Sequence, residues 1–328
     1  TSVDKPCSNS FADEQGNRYI TCINADFSDA DPDCLIVTPR GNWTGKTKGG
    51  LILSHDQGRT FRRLPMPFGL SEELDEALHF IECPNVNSGW VALSPDTKHI
   101  VWSVADGIDL PISRLLVSHD GGETFSFGKV YDLQGSQVIK GRLKVYADRM
   151  DSSLFYGWGD HSDFYISHDS GSTYHQYPLP DEFPVVNFGL IDCANRTEIR
   201  GETGKTGTFY IATGQGGLWK LIYTPDKDTV TLRKLSAEGD AIYRMGLGLG
   251  APDADYYKDN KAIYCNGIID GEYGFYRSLD DGASYERLNT DRQMYGEINS
   301  IDGDCRVFGR FYLATGSNGI KYGSIQKP

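Results

Sequence analysis

One octapeptide recurs four times along this chain, and nothing else in the sequence limits the fold as much. It runs Ser54-His55-Asp56-Gln57-Gly58-Arg59-Thr60-Phe61, then Ser118-His119-Asp120-Gly121-Gly122-Glu123-Thr124-Phe125. It returns as Ser167-His168-Asp169-Ser170-Gly171-Ser172-Thr173-Tyr174 and as Ser278-Leu279-Asp280-Asp281-Gly282-Ala283-Ser284-Tyr285. Each fixed position has a mechanical reason. The serine (Ser54, Ser118, Ser167, Ser278) and the acid (Asp56, Asp120, Asp169, Asp280) bond the backbone of a tight turn. The glycine (Gly58, Gly122, Gly171, Gly282) supplies the positive φ that other residues resist. The closing aromatic anchors the hairpin under a sheet. The acid is spent on its own turn, so the octapeptide reads as a folding device and not as a catalytic site.

Spacing turns the motif into an architecture. From Ser54 to Ser118 is 64 residues, from Ser118 to Ser167 is 49, and from Ser167 to Ser278 is 111, which is two units. A degenerate copy, Thr224-Pro225-Asp226-Lys227-Asp228, fills the middle of the long interval. Repeats of about 40–50 residues with four strands each are those of propellers. The second unit reads as strands 89–94, 99–104, 114–118 and 124–128, and the third as 143–148, 154–158, 164–167 and 173–177. Six units are counted, with seven possible, the first over about 19–65 and the last over 297–324 with three strands and no octapeptide. Segment 6–17 is a candidate for the outer strand that the last unit lacks. The expectation is an all-β chain, one β-propeller domain over residues 1–328, with no helix longer than two turns.

Composition narrows the function classes. A net charge of −13 in 328 residues opposes nucleic acid and anionic membranes, whose phosphates require a Lys/Arg footprint. No apolar run approaches the roughly 18 residues of a membrane span, and without a leader ahead of Thr1 the chain reads as mature or processed. Two glycosylation acceptors, Asn42-Trp43-Thr44 and Asn195-Arg196-Thr197, fit a secreted, extracellular protein. The seven cysteines, Cys7, Cys22, Cys34, Cys83, Cys193, Cys265 and Cys305, form no C-x-x-C pair, so zinc is not expected. Disulfides fit a secreted chain, and an odd count leaves at least one thiol unpaired within it. The run Asp26, Asp29, Asp31, Asp33 lacks the order of a calcium loop and reads as a turn-rich surface segment. No metal and no cofactor are expected.

The octapeptide resembles the Asp-box (BNR repeat) of sialidases and related propellers. The closing segment from Val307 to Gly323 (VFGRFYLATGSNGIKYG) and the stretch from Gly274 to Asn289 (GFYRSLDDGASYERLN) are more specific. They resemble the C-terminal propeller of glycoside hydrolase family 74, the xyloglucanases and oligoxyloglucan reducing-end-specific cellobiohydrolases. His99-Ile100-Val101-Trp102-Ser103 and Phe164 through Asp169 follow in the same order, and the resemblance spans roughly residues 15–324. It implies inverting hydrolysis by one aspartate from each of two propellers. Neither aspartate motif is matched here. Gly159-Asp160-His161-Ser162-Asp163 does not align with the second, so no catalytic residue is assigned and enzymatic activity of this chain stays open. The implied partners are a polysaccharide or oligosaccharide of the β-glucan or xyloglucan type and a missing N-terminal propeller.

Loops at strand ends of such a scaffold carry function. The richest is Tyr156-Gly157-Trp158-Gly159-Asp160-His161, where rings, a carboxylate and an imidazole suit stacking on a sugar and directional bonds to its hydroxyls. Trp43, in the Gly-rich loop 41–50, and Tyr295 are further glycan-binding candidates. Tyr256 and Tyr257 are weaker ones, and Trp90 and Trp102 read as core. Alternatives of other classes are a non-catalytic glycan-binding propeller, a protein-binding propeller of the sorting-receptor type, and a sialidase. The sorting receptor would need a cysteine-rich module after the repeats. The sialidase would need an Arg-Ile-Pro motif, which Phe61-Arg62-Arg63-Leu64-Pro65 does not supply.

Overall fold

Short strands with buried aromatic and β-branched faces, broken by glycine turns, give six sheets, each built on an antiparallel meander, among the described residues of the computed structural model. It describes residues 12–19, 21–42, 47–81, 89–104, 114–138, 143–159, 162–184, 198–316 and 319–324. The chain divides into two compact units, Thr1–Pro178 and Leu179–Pro328. Among the described residues no helix is long and apolar enough to cross a membrane.

The first unit holds three sheets. Strands β1 (Thr21–Phe27), β2 (Leu35–Arg40), β3 (Ile52–Ser54) and β4 (Arg62–Arg63) pair in sequence order. Strands β5 (Trp90–Leu93), β6 (Ile100–Val104), β7 (Arg114–Ser118) and β8 (Ser126–Phe127) repeat the meander. The third sheet has six strands instead of four. Its meander is β11 (Lys144–Ala147), β12 (Phe155–Trp158), β13 (Phe164–Ser167) and β14 (Thr173–Tyr177). Outside it lie β9 (Lys129–Tyr131) and β10 (Gln137–Val138), with β9 parallel to β14. That hairpin covers an edge which would otherwise offer unpaired backbone groups.

One expectation fails between β4 and β5. Residues 72–81 form a helix, α1 (Glu72–Ile81), ten residues long and so nearly three turns. Leu74 and Leu78, four apart, are fully buried on one face. The Ser71 hydroxyl accepts the Leu74 N–H at 3.1 Å as an N-cap. Glu72, Glu73 and Asp75 in the first turn and His79 in the last complement the helix dipole. A single amphipathic helix inside a strand-rich connection was too short a signal to separate from a loop.

The second unit also holds three sheets. Strands β15 (Glu198–Gly201), β16 (Thr208–Ala212), β17 (Leu218–Thr224) and β18 (Thr229–Lys234) form one. Its β17–β18 turn is the degenerate octapeptide, a single 3₁₀ turn over Pro225–Lys227 closed by Asp228 at φ 49°. Strands β19 (Ala241–Leu249), β20 (Lys261–Ile269), β21 (Glu272–Ser278) and β22 (Glu286–Arg287) form the next. The last has three strands, β23 (Ile298–Gly303), β24 (Arg310–Thr315) and β25 (Ile320–Ser324). Of the segment 6–17 proposed for its outer edge, residues 6–11 lie outside the described residues. Residues 13–17 make a turn tied to the first sheet, with the Glu14 N–H on the Phe61 carbonyl at 2.7 Å.

First strands of neighbouring sheets are laced by side chains. Asn24 Oδ1 accepts the Val91 N–H and Asp26 Oδ2 the Leu93 N–H, both at 2.9 Å. In the second unit Glu198 Oε2 accepts the Met245 N–H and Asp302 Oδ1 the Leu247 N–H, both at 3.0 Å. In each case side-chain acceptors satisfy two backbone donors that lie two residues apart on one strand.

Candidate functional site

The four boxes share one hydrogen-bond pattern. The serine Oγ accepts the glycine N–H at 2.8, 2.8, 3.0 and 2.9 Å in chain order. The acid Oδ1 accepts the N–H four residues on, from Thr60, Thr124, Thr173 and Ser284, at 2.7–2.9 Å. In three boxes its Oδ2 also accepts the hydroxyl of that residue, Thr60, Thr124 or Ser284. The glycines sit at φ 77°, 91°, 88° and 86°. Donors from Thr60 and Thr124 pull the Asp56 and Asp120 carboxyls down to about 2, and those from Ser284 do the same at Asp280.

The boxes also tell the two ends of a sheet apart. The Gln57 N–H bonds the Asp33 carbonyl, the Gly121 N–H the Lys98 carbonyl, and the Ser170 N–H the Ser153 carbonyl. In all three sheets of the first unit, the box turn therefore sits beside the turn between the first and second strands. Antiparallel order sends the remaining connections, second-to-third strand and sheet-to-sheet, to the opposite end. That loop end is the candidate site, because its connections are free of the box scaffold.

The sequence candidates fall unevenly on it. Asp160 and His161, in the β12–β13 connection, and Trp43, in the β2–β3 connection, lie outside the described residues. Trp158 and Tyr156 are corrected: both are core residues of β12, 1% and 0% exposed. Trp158 packs on Phe164 at 4.7 Å, and the Tyr156 hydroxyl donates to Asp148 Oδ2 at 3.0 Å. As placed, neither ring offers a face to a sugar. Tyr295 is half-buried in the β22–β23 connection, stacked on Phe275 at 6.3 Å with 9° between planes. Tyr257 is exposed and edge-on to Tyr256, with the Lys261 ammonium 4.9 Å above the Tyr256 ring. Asn42 is described and pairs with Thr47, while Asn195 lies outside the described residues.

A ring that the sequence assigned to the core packs against it only in part and stands at the loop end. Trp90 opens β5 and is only half-buried. The Lys144 ammonium, at the start of β11, lies 4.8 Å from its ring centroid, and Tyr146 meets it edge-on at 6.2 Å. Phe68, 40% exposed, leans on His79 of α1 at 4.6 Å in the adjoining connection. The packing of β5 beside β11 creates this cluster. No local pattern in the sequence announces it.

Two buried carboxylates in the second unit, Glu198 and Asp302, are committed to structure. Burial raises the Glu198 and Asp302 carboxyls above the usual range, against the pull of Arg200. Glu198 Oε1 receives Arg200 Nη2 at 2.7 Å in addition to its strand contact. In the acidic run, Asp26 binds Arg149 at 2.7 Å and Asp33 accepts the Gln57 side-chain amide. Among the described residues no three His, Cys, Asp or Glu side chains are grouped to hold a metal. Cys22, Cys34, Cys265 and Cys305 are free thiols, which corrects the disulfide expectation for these four. Cys7, Cys83 and Cys193 lie outside the described residues.

No family model matches the chain. Xyloglucanase Xgh74A of Acetivibrio thermocellus is 34% identical over 307 residues, 93% of this chain and 30% of that protein. A xyloglucanase of a Paenibacillus species is 27% identical over 326 residues, 98% of this chain and 27% of that protein. The crystal structure of the GH74 xyloglucanase from Xanthomonas campestris superposes with a TM-score of 0.70 at 21% identity. The match covers 95% of this chain and 38% of that one, and it shows the β-propeller fold. The chain spans about 30% of the length of the curated relatives it matches. Over the stretch it spans, the chain is a homologue of the xyloglucanases of glycoside hydrolase family 74, resembling their C-terminal propeller.

Proposed function

We propose that the chain is the carbohydrate-binding part of a secreted, xyloglucan-acting glycoside hydrolase, and that it holds β-1,4-glucan chains at the loop end of its sheets. The 34% identity to Xgh74A along 93% of the chain carries this reading. The half-buried Trp90 supports it. An indole edged by Tyr146 and held by the Lys144 ammonium is a rigid apolar platform beside a charge, as pyranose faces and their hydroxyls require. Tyr295, Trp43, Asp160 and His161 belong to connections of the same kind and are proposed as further contacts. N-glycosylation at Asn42 and Asn195 is part of the same secreted reading.

Hydrolysis is proposed to need more than this chain. Inversion requires an acid and a water-activating base roughly 6.5–9.5 Å apart across the bond. The boxes commit their acids to turns, and Glu198 and Asp302 bond the backbone of β19. The proposed partner is an N-terminal propeller that faces this one across the glucan. Calorimetry with xyloglucan oligosaccharides tests the reading: a saturable heat is expected, and no heat with any β-glucan oligosaccharide would sink it.

A further inference from the structure

A chain of four side chains joins the second and third sheets of the first unit at the box end. His99 Nδ1 lies 2.8 Å from His119 Nδ1, and His119 Nε2 lies 3.0 Å from the Ser172 hydroxyl. On the far side, His99 Nε2 is 3.6 Å from Asp96 Oδ2. His99 belongs to the turn between β5 and β6, His119 to the second box and Ser172 to the third. The two imidazole centroids are 5.0 Å apart. Most of the difference from 2.8 Å is the two ring radii, so the nitrogens point at one another and a single proton lies between them.

Only one hydrogen fits between the two facing Nδ1 atoms, so one ring donates and the other accepts. Asp96 lies beyond hydrogen-bond reach of His99 Nε2 at 3.6 Å and acts on it as a charge, while its Oδ1 takes the Ser94 hydroxyl and the Lys98 N–H. The Ser172 hydroxyl can rotate to donate to His119 Nε2 or to accept from it. When both rings are doubly protonated, both Nδ1 atoms carry a hydrogen. Two N–H groups would then face each other at 2.8 Å, and the chain breaks.

We propose that Asp96, His99, His119 and Ser172 form a pH-gated clasp, closed while a single hydrogen lies between the two facing nitrogens and opened when both rings are doubly protonated. Burial disfavours a charge on His99, and His119 and Lys98 add to this against the attraction of Asp96. Other ionisable groups on the packed elements have contacts of their own, His168 of the third box lying 3.4 Å from the Tyr177 hydroxyl. Asp120 and Asp169 bond their own boxes, Glu123 pairs with Arg62 at 2.9 Å, and Asp151 holds Ser153. A group whose pKa is lowered on folding stabilises above its unfolded pKa and loses that contribution as pH falls. The clasp therefore opens on acidification, below the ordinary imidazole range.

Nitrogen NMR of the full chain labelled at histidine, followed from pH 8 to pH 4, tests this. The two rings should titrate together in two steps separated by more than about one pH unit. Two independent single-step curves would overturn the clasp. Amide exchange of residues 94–99 and 168–173 should quicken with the second step, and His99→Gln should abolish that pH dependence. An identical dependence in His99→Gln would also overturn it. The wild-type titration decides the matter even if the variant does not fold.

Discussion

Asp26 accepts the Leu93 N–H at 2.9 Å across 67 positions of sequence, and its other oxygen receives Arg149 at 2.7 Å. One carboxylate thus ties the first strand of one sheet to that of the next and to a turn of a third. Asp26→Ala should cost about 2–4 kcal/mol, because it leaves the buried Leu93 N–H without its acceptor and takes away one of the two carboxylates that face Arg149. Asp26→Asn should cost less, since an acceptor for Leu93 remains. Urea unfolding of the three proteins checks the order; equal costs would mean that the bond to the Leu93 N–H contributes nothing.

Asp120→Ala should lower stability by about 1–3 kcal/mol by orphaning the Thr124 and Glu123 N–H groups. Glucan affinity of the folded fraction should stay unchanged. A variant that keeps its stability but loses glucan would make the box a binding site.

The boxes set the acid limit. Asp56, Asp120 and Asp280 fall to about 2 in the folded chain, below an unfolded aspartate at about 3.9. A lowered carboxyl pKa stabilises above the unfolded value and loses that contribution as pH falls through the folded one. Stability should therefore drop between about pH 4 and pH 2. Thermal melts across that window test it, and Ser284→Ala, which removes the largest donor to Asp280, should shift the drop upward in pH.

Two tryptophans should behave oppositely. Trp158→Ala empties a core position and should cost about 3–5 kcal/mol of stability. Trp90→Ala should cost less than that, because the ring is only half-buried against the core, and should weaken xyloglucan oligosaccharide binding by about 1 kcal/mol, roughly fivefold. Calorimetry and melts on both variants separate the roles; a Trp90→Ala protein with unchanged affinity would remove this ring from the site.

The purified chain should release no reducing sugar from xyloglucan. Losing one of two paired carboxylates removes acid or base assistance worth roughly 10²–10⁴ in rate. Turnover at ordinary enzymatic rates of about 1–10³ per second would show a complete acid–base pair within it.

The octapeptides were readable because their bonds are local. Ser54 and Asp56 reach only as far as Gly58 and Thr60, so pattern and geometry coincide. The strand units followed from their spacing, and strands β5–β7 and β11–β14 lie within a residue or two of their expected bounds. The helix at 72–81 and the hairpin β9–β10 were missed, because each is an insertion between units that follows no repeat.

The aromatic site separates the two kinds of information. Trp90 and Trp158 both lie on strands beside glycines, and nothing local distinguishes them. Burial of a strand residue depends on what packs against its face, which is set by the neighbouring sheet and not by the strand. Trp158 meets Phe164 within its own sheet and closes over; Trp90 meets Lys144 from the next sheet and stays half open. The sequence by itself determined the repeat, the turns and the all-β class, because those rest on contacts within a few residues. Tertiary structure alone decided which ring stands at the loop end, which acids cap a neighbouring strand and which histidines share a proton. Those depend on groups from 20 to 67 positions apart arriving within about 3–5 Å of one another.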